Sequence, residues 1–269
     1  MSAPPSKVVI YDALSHLRVR METEKPSDFL QGVLNEAANP FGTRIWVWDG
    51  PGGNKARRDL FPAYKTSREY KPGIIKAMDF VRELIALTGS WQVRVPGFEG
   101  DDVVAALVNH FHATTDLPIE IVCRDGDLAA LCAINPQRIR CSHQVKVPYH
   151  QIALYKLCVG DPSDDIPGIK GFGKGAWEKA DKGGLQAFLH SLLDERRPAD
   201  EGEEARALAL GMSKASFHWL QVQENIDALG AMRRIIAPLP VSADLINQHL
   251  HRGERDEAAL MAKLKEFML

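Results

Sequence analysis

The sequence has no apolar stretch of membrane-spanning length, no internal repeat, no low-complexity tract and almost no net charge. The first absence argues against an integral helical membrane protein, and the opening residues lack a charged segment followed by a long apolar run. Only four cysteines occur, Cys123, Cys132, Cys141 and Cys158, with no C-x-x-C spacing and no Cys/His grouping of zinc-site form. They are expected as buried free thiols of a reducing compartment, so a soluble cytoplasmic protein is predicted. A net charge of −2 excludes a uniformly basic coat for nucleic acid, although opposed patches can cancel in the sum. What remains is 269 residues, 45% of them apolar, enough for one large α/β domain or one domain with a helical appendix.

The densest chemistry is Glu99-Gly100-Asp101-Asp102. Residues 91–97 before it alternate like a strand, and Val103, Val104, Leu107, Val108 and Phe111 after it recur at helical spacing. Acids that merely cap a helix would explain this triplet standing alone, but it does not stand alone. Lys7 to Asp12 is a buried strand ending in aspartate, and Arg44 to Asp49 repeats the design before Gly50. Pro118 to Cys123 is another strand, running into Asp125-Gly126-Asp127. With helices expected over about 27–38, capped by Ser27 or Asp28, and over 72–87, the order is β-α-β-α-β-α-β. That order predicts an α/β fold with a mainly parallel central sheet and helices on both faces. The C-terminal ends of parallel strands share one edge, so Asp12, Asp49, Glu99, Asp101, Asp102, Asp125 and Asp127 are expected to converge there. Carboxylates so crowded call for a cation.

Two further segments carry charge of the other sign. Between Lys55 and Lys76 the basic residues Lys55, Arg57, Arg58, Lys65, Arg68, Lys71 and Lys76 face only Asp59 and Glu69, with Phe61, Tyr64 and Tyr70 interleaved. Cations for phosphates and rings for unpaired bases make this the composition of a single-strand-binding segment. Farther on, Gly168, Lys170, Gly171, Gly173 and Lys174 follow Asp161, Asp164 and Asp165. Glycines there permit a hairpin whose bare N–H groups and lysines could seat a phosphate. A short hairpin is expected over 138–147 and helices over 149–159, 185–193, 217–229 and 257–268, with Asp200 to Glu204 as an acidic connector. The inward face of the 72–87 helix is expected to be Ile74, Ile75, Met78, Val81, Leu84 and Ile85.

Together these residues resemble the 5′-nuclease family, which includes flap endonucleases, phage and bacterial 5′→3′ exonucleases and the N-terminal nuclease domain of bacterial DNA polymerase I. Glu99-Gly100-Asp101-Asp102 resembles the family's acidic triplet, with Gly100 where alanine is usual. Asp125-Gly126-Asp127 resembles its D-x-D. Gly160-Asp161 to Gly168 resembles its GD-x-x-DN-x-PG signature, with Asp165 in place of the common Asn. Pro62 to Arg68 resembles its P-x-YK-x-x-R arch. The likeness runs from the first strand to about residue 180. It implies an α/β nuclease domain over 1–158 that includes a basic arch at 55–76. Residues 159–269 would then form a helix-hairpin-helix-type (helix-3-turn-helix) and helical region.

The resemblance also implies a chemistry. Two Mg²⁺ or Mn²⁺ ions, ~3.5–4 Å apart, would activate water and stabilise the leaving oxygen. Glu99, Asp101, Asp125 and Asp127 would hold the first ion and Asp161 and Asp164 the second, with Asp12, Asp49 and Asp102 in support. Lys65 and Arg68 would reach the scissile phosphate, and Tyr64 would stack on a terminal base. Arg57, Arg58 and Lys71 would contact DNA, while Gly168, Lys170, Gly171, Gly173 and Lys174 would grip duplex backbone, with K⁺ at that hairpin. The implied substrate is DNA with a free 5′ end, flap or nick, extending to RNA–DNA hybrid. The implied protein is a monomer with no membrane and no small-molecule cofactor. The rival readings are a PIN-type ribonuclease and a structure-specific DNA-binding protein without catalysis.

Overall fold

A computed structural model describes residues 6–68 and 72–268. In chain order its elements are β1 (Val8–Asp12), α1 (Ala13–Thr23), α2 (Pro26–Ala38), β2 (Thr43–Trp48), α3 (Lys55–Leu60), α4 (Pro72–Ala86), β3 (Trp91–Arg94), α5 (Gly100–Thr114), β4 (Ile119–Val122) and β5 (Ile139–Cys141). There follow α6 (Ile152–Val159), α7 (Lys174–Lys179), α8 (Lys182–Glu195), α9 (Glu204–Ala209), α10 (Lys214–Leu220), α11 (Gln223–Ile236), α12 (Ala243–His249), β6 (Leu250–Arg252) and α13 (Glu257–Met268).

These elements form two compact units. The sheet unit holds the described residues up to Gly53, those from Pro72 to Val145 and those from Leu239 on. The helical unit holds Asn54–Arg68 and Lys146–Pro238. A boundary at residue 158 therefore falls inside the helical unit, and most of the basic segment belongs to that unit as well.

In the sheet unit the strand order is β5-β4-β1-β2-β3-β6, parallel except for β6, which runs antiparallel to β3. Successive side chains on a strand point to opposite faces, and here both faces are apolar. Val8, Ile10, Ile45, Val47 and Val93 pack with Val103, Val104 and Leu107 of α5. Val9, Tyr11, Trp46 and Trp48 pack with Leu17 of α1, Val33 of α2 and Val81 of α4. Continuous apolar strands are what a doubly covered parallel sheet requires. The helical unit has its own core, in which Phe188, Leu189 and Leu192 of α8 meet Phe217, Leu229 and Met232.

Several local expectations are corrected. The 138–147 hairpin does not form; β5 instead pairs in parallel with β4, because Ile139 completes the buried apolar face. Helix α1 follows directly from Asp12, which caps it, and α2 is entered through Lys25 and Pro26 instead of Ser27 or Asp28. The 217–229 helix is two helices, α10 and α11, broken after Leu220. The acidic connector at 200–204 is solvent-facing as expected, and within it residues 201–203 form a capped 3₁₀ turn. Ile75 is exposed, and Cys141 is only partly buried. Strand β6, too short for a periodicity signal, was not expected.

Candidate active site

Parallel pairing of β1 with both β2 and β4 brings three strand ends to one edge of the sheet unit. Asp12 closes β1 and is 5% exposed. Asp49 follows β2, and its Oδ1 accepts the Gly100 amide at 2.7 Å. The turn after Asp49 is tied to the segment before α5: Gly50 N–H donates to Phe98 O at 3.0 Å and Gly97 N–H to Pro51 O at 2.9 Å. A side chain at Gly50 would stand 1.8 Å from the Val95 carbonyl, so glycine is needed for this approach. Asp49 and Glu99 are thus placed by one clasp.

At the start of α5, Glu99 and Asp102 form a capping box. Asp102 is fully buried; its Oδ2 accepts the Glu99 amide at 3.2 Å and its Oδ1 the Leu239 amide at 2.7 Å. It ties α5 to the segment leading to α12, a structural duty that the sequence pattern did not reveal. Gly100 stands where a Cβ would lie 3.1 Å from Asp49 Oδ1 and 3.7 Å from Asp12 Oδ1, which fixes the three positions together. After β4, Asp125 Oδ1 accepts the Asp127 amide at 3.0 Å, forming the tight turn expected of Asp-Gly-Asp. Burial, with the charges of Asp49 and Asp125, pushes the Asp12 carboxyl up to about 7, against hydrogen bonds from Ser15. Of the sheet-unit acids, Asp12, Asp49 and Asp125 therefore share one field. Glu99 and Asp101 flank Gly100 at the same helix start, and Asp127 shares the turn of Asp125.

The helical unit presents acids of a different kind. Asp161 accepts Ser163 N and Oγ at 2.9 and 2.7 Å and pairs with Lys156 at 2.5 Å. Asp164 meets Arg68 at 3.2 Å, Lys156 at 3.4 Å and Lys65 at 3.8 Å. At Asp161 burial acts upward, but the Lys156 ammonium and the Ser163 hydrogen bonds outweigh it and hold the carboxyl below its ordinary range. Lys156 was not singled out from sequence; its place on α6, five residues before Asp161, gave no motif to notice. Asp165 adopts φ 56°, a left-handed conformation that Asn and Asp tolerate best, so the exchange with the family's Asn is conservative.

The basic segment divides. Arg68 and Lys65 lie on Asp164, and Lys65 has a left-handed φ of 51°. Its amide donates to Asp164 O, while Arg58 donates to the carbonyls of Tyr64 and Lys65. Tyr64 is 2% exposed within the helical core, so it offers no face for a base, contrary to expectation. Arg57 is also buried; its Nε donates to the Ile235 carbonyl, so it serves packing and not phosphate contact. Composition alone cannot separate such arginines from solvated ones. Lys71 lies outside the described residues.

In the glycine segment Ile166, Ile169 and Phe172 are buried, while Lys170, Gly171, Gly173 and Lys174 face solvent. Gly168 has φ +70°, and a Cβ there would meet Gly160 N at 2.5 Å. The hairpin is therefore anchored by apolar residues and by Gly168, which is buried against residues 158–160 and, contrary to expectation, not open to a duplex; it is exposed at Lys170, Gly171, Gly173 and Lys174.

A model of the 5′-3′ exonuclease N-terminal resolvase-like domain matches residues 17–154, which is half of the chain. The chain belongs to the 5′-3′ exonuclease family. Among its relatives, the thermostable DNA polymerase I of Thermus thermophilus is 32% identical over 175 residues, 59% of this chain and 21% of that protein. The 5′-3′ exonuclease of Aquifex aeolicus is 31% identical over 141 residues, 48% of each chain. This family member thus spans about a fifth of that polymerase and about half of that exonuclease. Its fold is that of a mutant bacteriophage T5 5′-exonuclease, with TM-score 0.58 and 15% identity over 97% of this chain and 98% of the other. A bacteriophage T5 flap endonuclease in a complex with DNA and metal ions has TM-score 0.56 and 16% identity, over 98% of this chain and all of the other. Among the described residues no helix is long and apolar enough to cross a membrane.

Proposed function

We propose that the chain is a metal-dependent, structure-specific 5′-nuclease that hydrolyses phosphodiesters at or near DNA 5′ ends, as 5′→3′ exonuclease and flap endonuclease. The observation that carries this reading is the carboxylate edge of the sheet unit, where burial with Asp49 and Asp125 raises Asp12 to about 7. The donor set fits a hard divalent ion: it is all oxygen, and its mutual repulsion is what such an ion relieves. Mg²⁺ or Mn²⁺ would be held by Glu99, Asp101, Asp125 and Asp127, with Asp12 and Asp49 in support; Asp161 and Asp164 are assigned to a second ion. When bound, these ions make a water nucleophilic near neutral pH and stabilise the leaving oxygen.

The remaining work is done by the chain. Asp102 and the Gly50 clasp keep Glu99 and Asp49 in place before DNA arrives. Arg68 and Lys65, held on Asp164, supply positive charge to the scissile phosphate. Arg58 braces the backbone around Lys65, whose side chain is buried beside Asp164, so Arg68 is the more accessible of the two cations. Lys170 and Lys174, with the bare amides of Gly171 and Gly173, grip duplex phosphates, and K⁺ is assigned to the carbonyls of that hairpin. Phosphate contacts read no bases, so selection is by structure and polarity.

Product mapping tests this reading. A 5′-labelled flap and a nicked duplex should be cut near the 5′ end in magnesium buffer and left whole with chelator. Metal-dependent cutting of matched RNA with the DNA flap intact would instead establish the ribonuclease rival, and tight flap binding without cleavage would establish the binding-protein rival.

A further inference from the structure

The turn that carries Asp125 and Asp127 is bordered by two thiols with no part in the chemistry above. Cys123 follows β4 and is fully buried; Cys141 ends β5, the neighbouring parallel strand, and is partly exposed. Both are free, and their sulfurs lie 3.3 Å apart. Cys123 Sγ also donates to the Asp125 carbonyl at 3.2 Å. Across the same two strands Cys123 N–H donates to Ser142 Oγ at 3.0 Å, and Ser142 Oγ donates to Cys123 O at 2.9 Å, which holds the pair in register.

A disulfide needs a sulfur separation of about 2.0 Å, so the two atoms have little more than an ångström to travel. Cys158 and Cys132 are buried thiols, as is Cys123, which leaves Cys141 as the one partly exposed cysteine. Cys158 is buried in the helical core and pushed up to about 12 by that burial, and Cys132 is pushed up to about 11. Cys141 is the reachable member, with a resolving thiol already in contact.

We propose that Cys123 and Cys141 are an oxidation site, closed to a disulfide by a hydroperoxide and reopened by a thiol, that controls the Asp125–Asp127 turn. In the first step the Cys141 sulfur attacks the O–O bond, gaining OH as a sulfenic acid while the hydroperoxide leaves as an alcohol, or as water from hydrogen peroxide. The Cys123 sulfur then displaces that OH, which leaves as water with the Cys123 proton. Two thiols lose two electrons and two protons, and the peroxide gains them. Oxidation also deletes the S–H donor that the Asp125 carbonyl accepts, so the turn loses a tether as its base is pulled toward β5. The effect on cleavage rests on the nuclease reading; the disulfide itself does not.

The test uses the full chain, reduced and then freed of reductant. After hydrogen peroxide treatment, free thiols are alkylated under denaturing conditions and the digest is mapped by mass spectrometry. The expected map joins the Cys123 and Cys141 peptides and leaves Cys132 and Cys158 alkylated. Flap cleavage should fall by at least about tenfold and return with dithiothreitol. Cys141→Ser, or Cys123→Ala should the first fold poorly, should form no link and keep its cleavage under peroxide. No link, Cys141 oxidised alone, a link to Cys132, or a complete link with undiminished cleavage would overturn the proposal. A reduced chain that cleaves nothing counts against the nuclease reading only, and the peptide map still decides the pair.

Discussion

Asp12 in the sheet unit and Asp161 in the helical unit are aspartates largely screened from water, yet they respond in opposite ways. Burial, Asp49 and Asp125 push Asp12 up to about 7. At Asp161 burial is outweighed by Lys156 and Ser163, and the carboxyl sits below its ordinary range. A buried carboxylate must have its charge met or give it up. The helical unit meets it with its own lysines and arginine, whereas at Asp12 burial and the neighbouring carboxylates Asp49 and Asp125 favour a bound proton or a cation.

The hardest blow to this contrast is removal of a sheet-edge ligand. Asp125→Asn should lower flap cleavage on the order of a thousandfold while duplex binding survives, as measured by single-turnover cleavage beside a binding titration. Retained cleavage would mean that the edge is not the reaction centre.

Next comes the counter-charge of the helical unit. Lys156→Met strands Asp161 and weakens the neutralisation of Asp164, and should cost about 2 kcal/mol of stability in urea denaturation. The stability that Asp161 contributes is present above its ordinary range and lost as pH falls through its depressed pKa, so the variant should also lose that acid limb. An unchanged midpoint would show the ion pair to be dispensable.

Proton linkage sharpens the other side. Asp12 holds its proton more tightly folded than unfolded, so without metal its ionisation should lower stability as pH rises from about 4 to about 7. Asp12→Asn should remove that slope. Divalent ions need the ionised form, so their apparent affinity should rise by up to about tenfold per pH unit over the same window and then level off, with proton release seen by calorimetry in buffers of different ionisation enthalpy.

The smallest expected effect is at Gly100. A methyl group there would press on Asp49 Oδ1 at 3.1 Å, the mobile end of a side chain. Gly100→Ala should change cleavage by no more than about threefold, under 1 kcal/mol in activation free energy. A loss as large as that of Asp125→Asn would mean that Asp49 has no room to adjust.

Much of the sheet unit was legible because its signals are local. Apolar runs ending in Asp12 and Asp49 read as buried strands, and strand-helix alternation implied parallel pairing, so convergence of their ends followed. Where legibility failed, either no motif marked the contact or distance in sequence hid it. Lys156 meets Asp161 and Asp164 through the turn of the chain after α6, and Arg57 finds its acceptor at Ile235, far along the sequence. Tyr64 looked like a stacking ring because its neighbours are basic, but the core it enters is built from helices that begin much later. Strand β6 has three residues, too few for a period to show.

Residue order alone therefore determined the parallel sheet and the set of strand-end acids, since alternation and burial act over a few neighbouring residues. Only the tertiary structure decided which charges are met from within the chain, which basic residues are withdrawn into the core and which two thiols touch. Those outcomes depend on how the chain turns back on itself, over a few residues at Lys156 and over many at Arg57, and no local pattern encodes them.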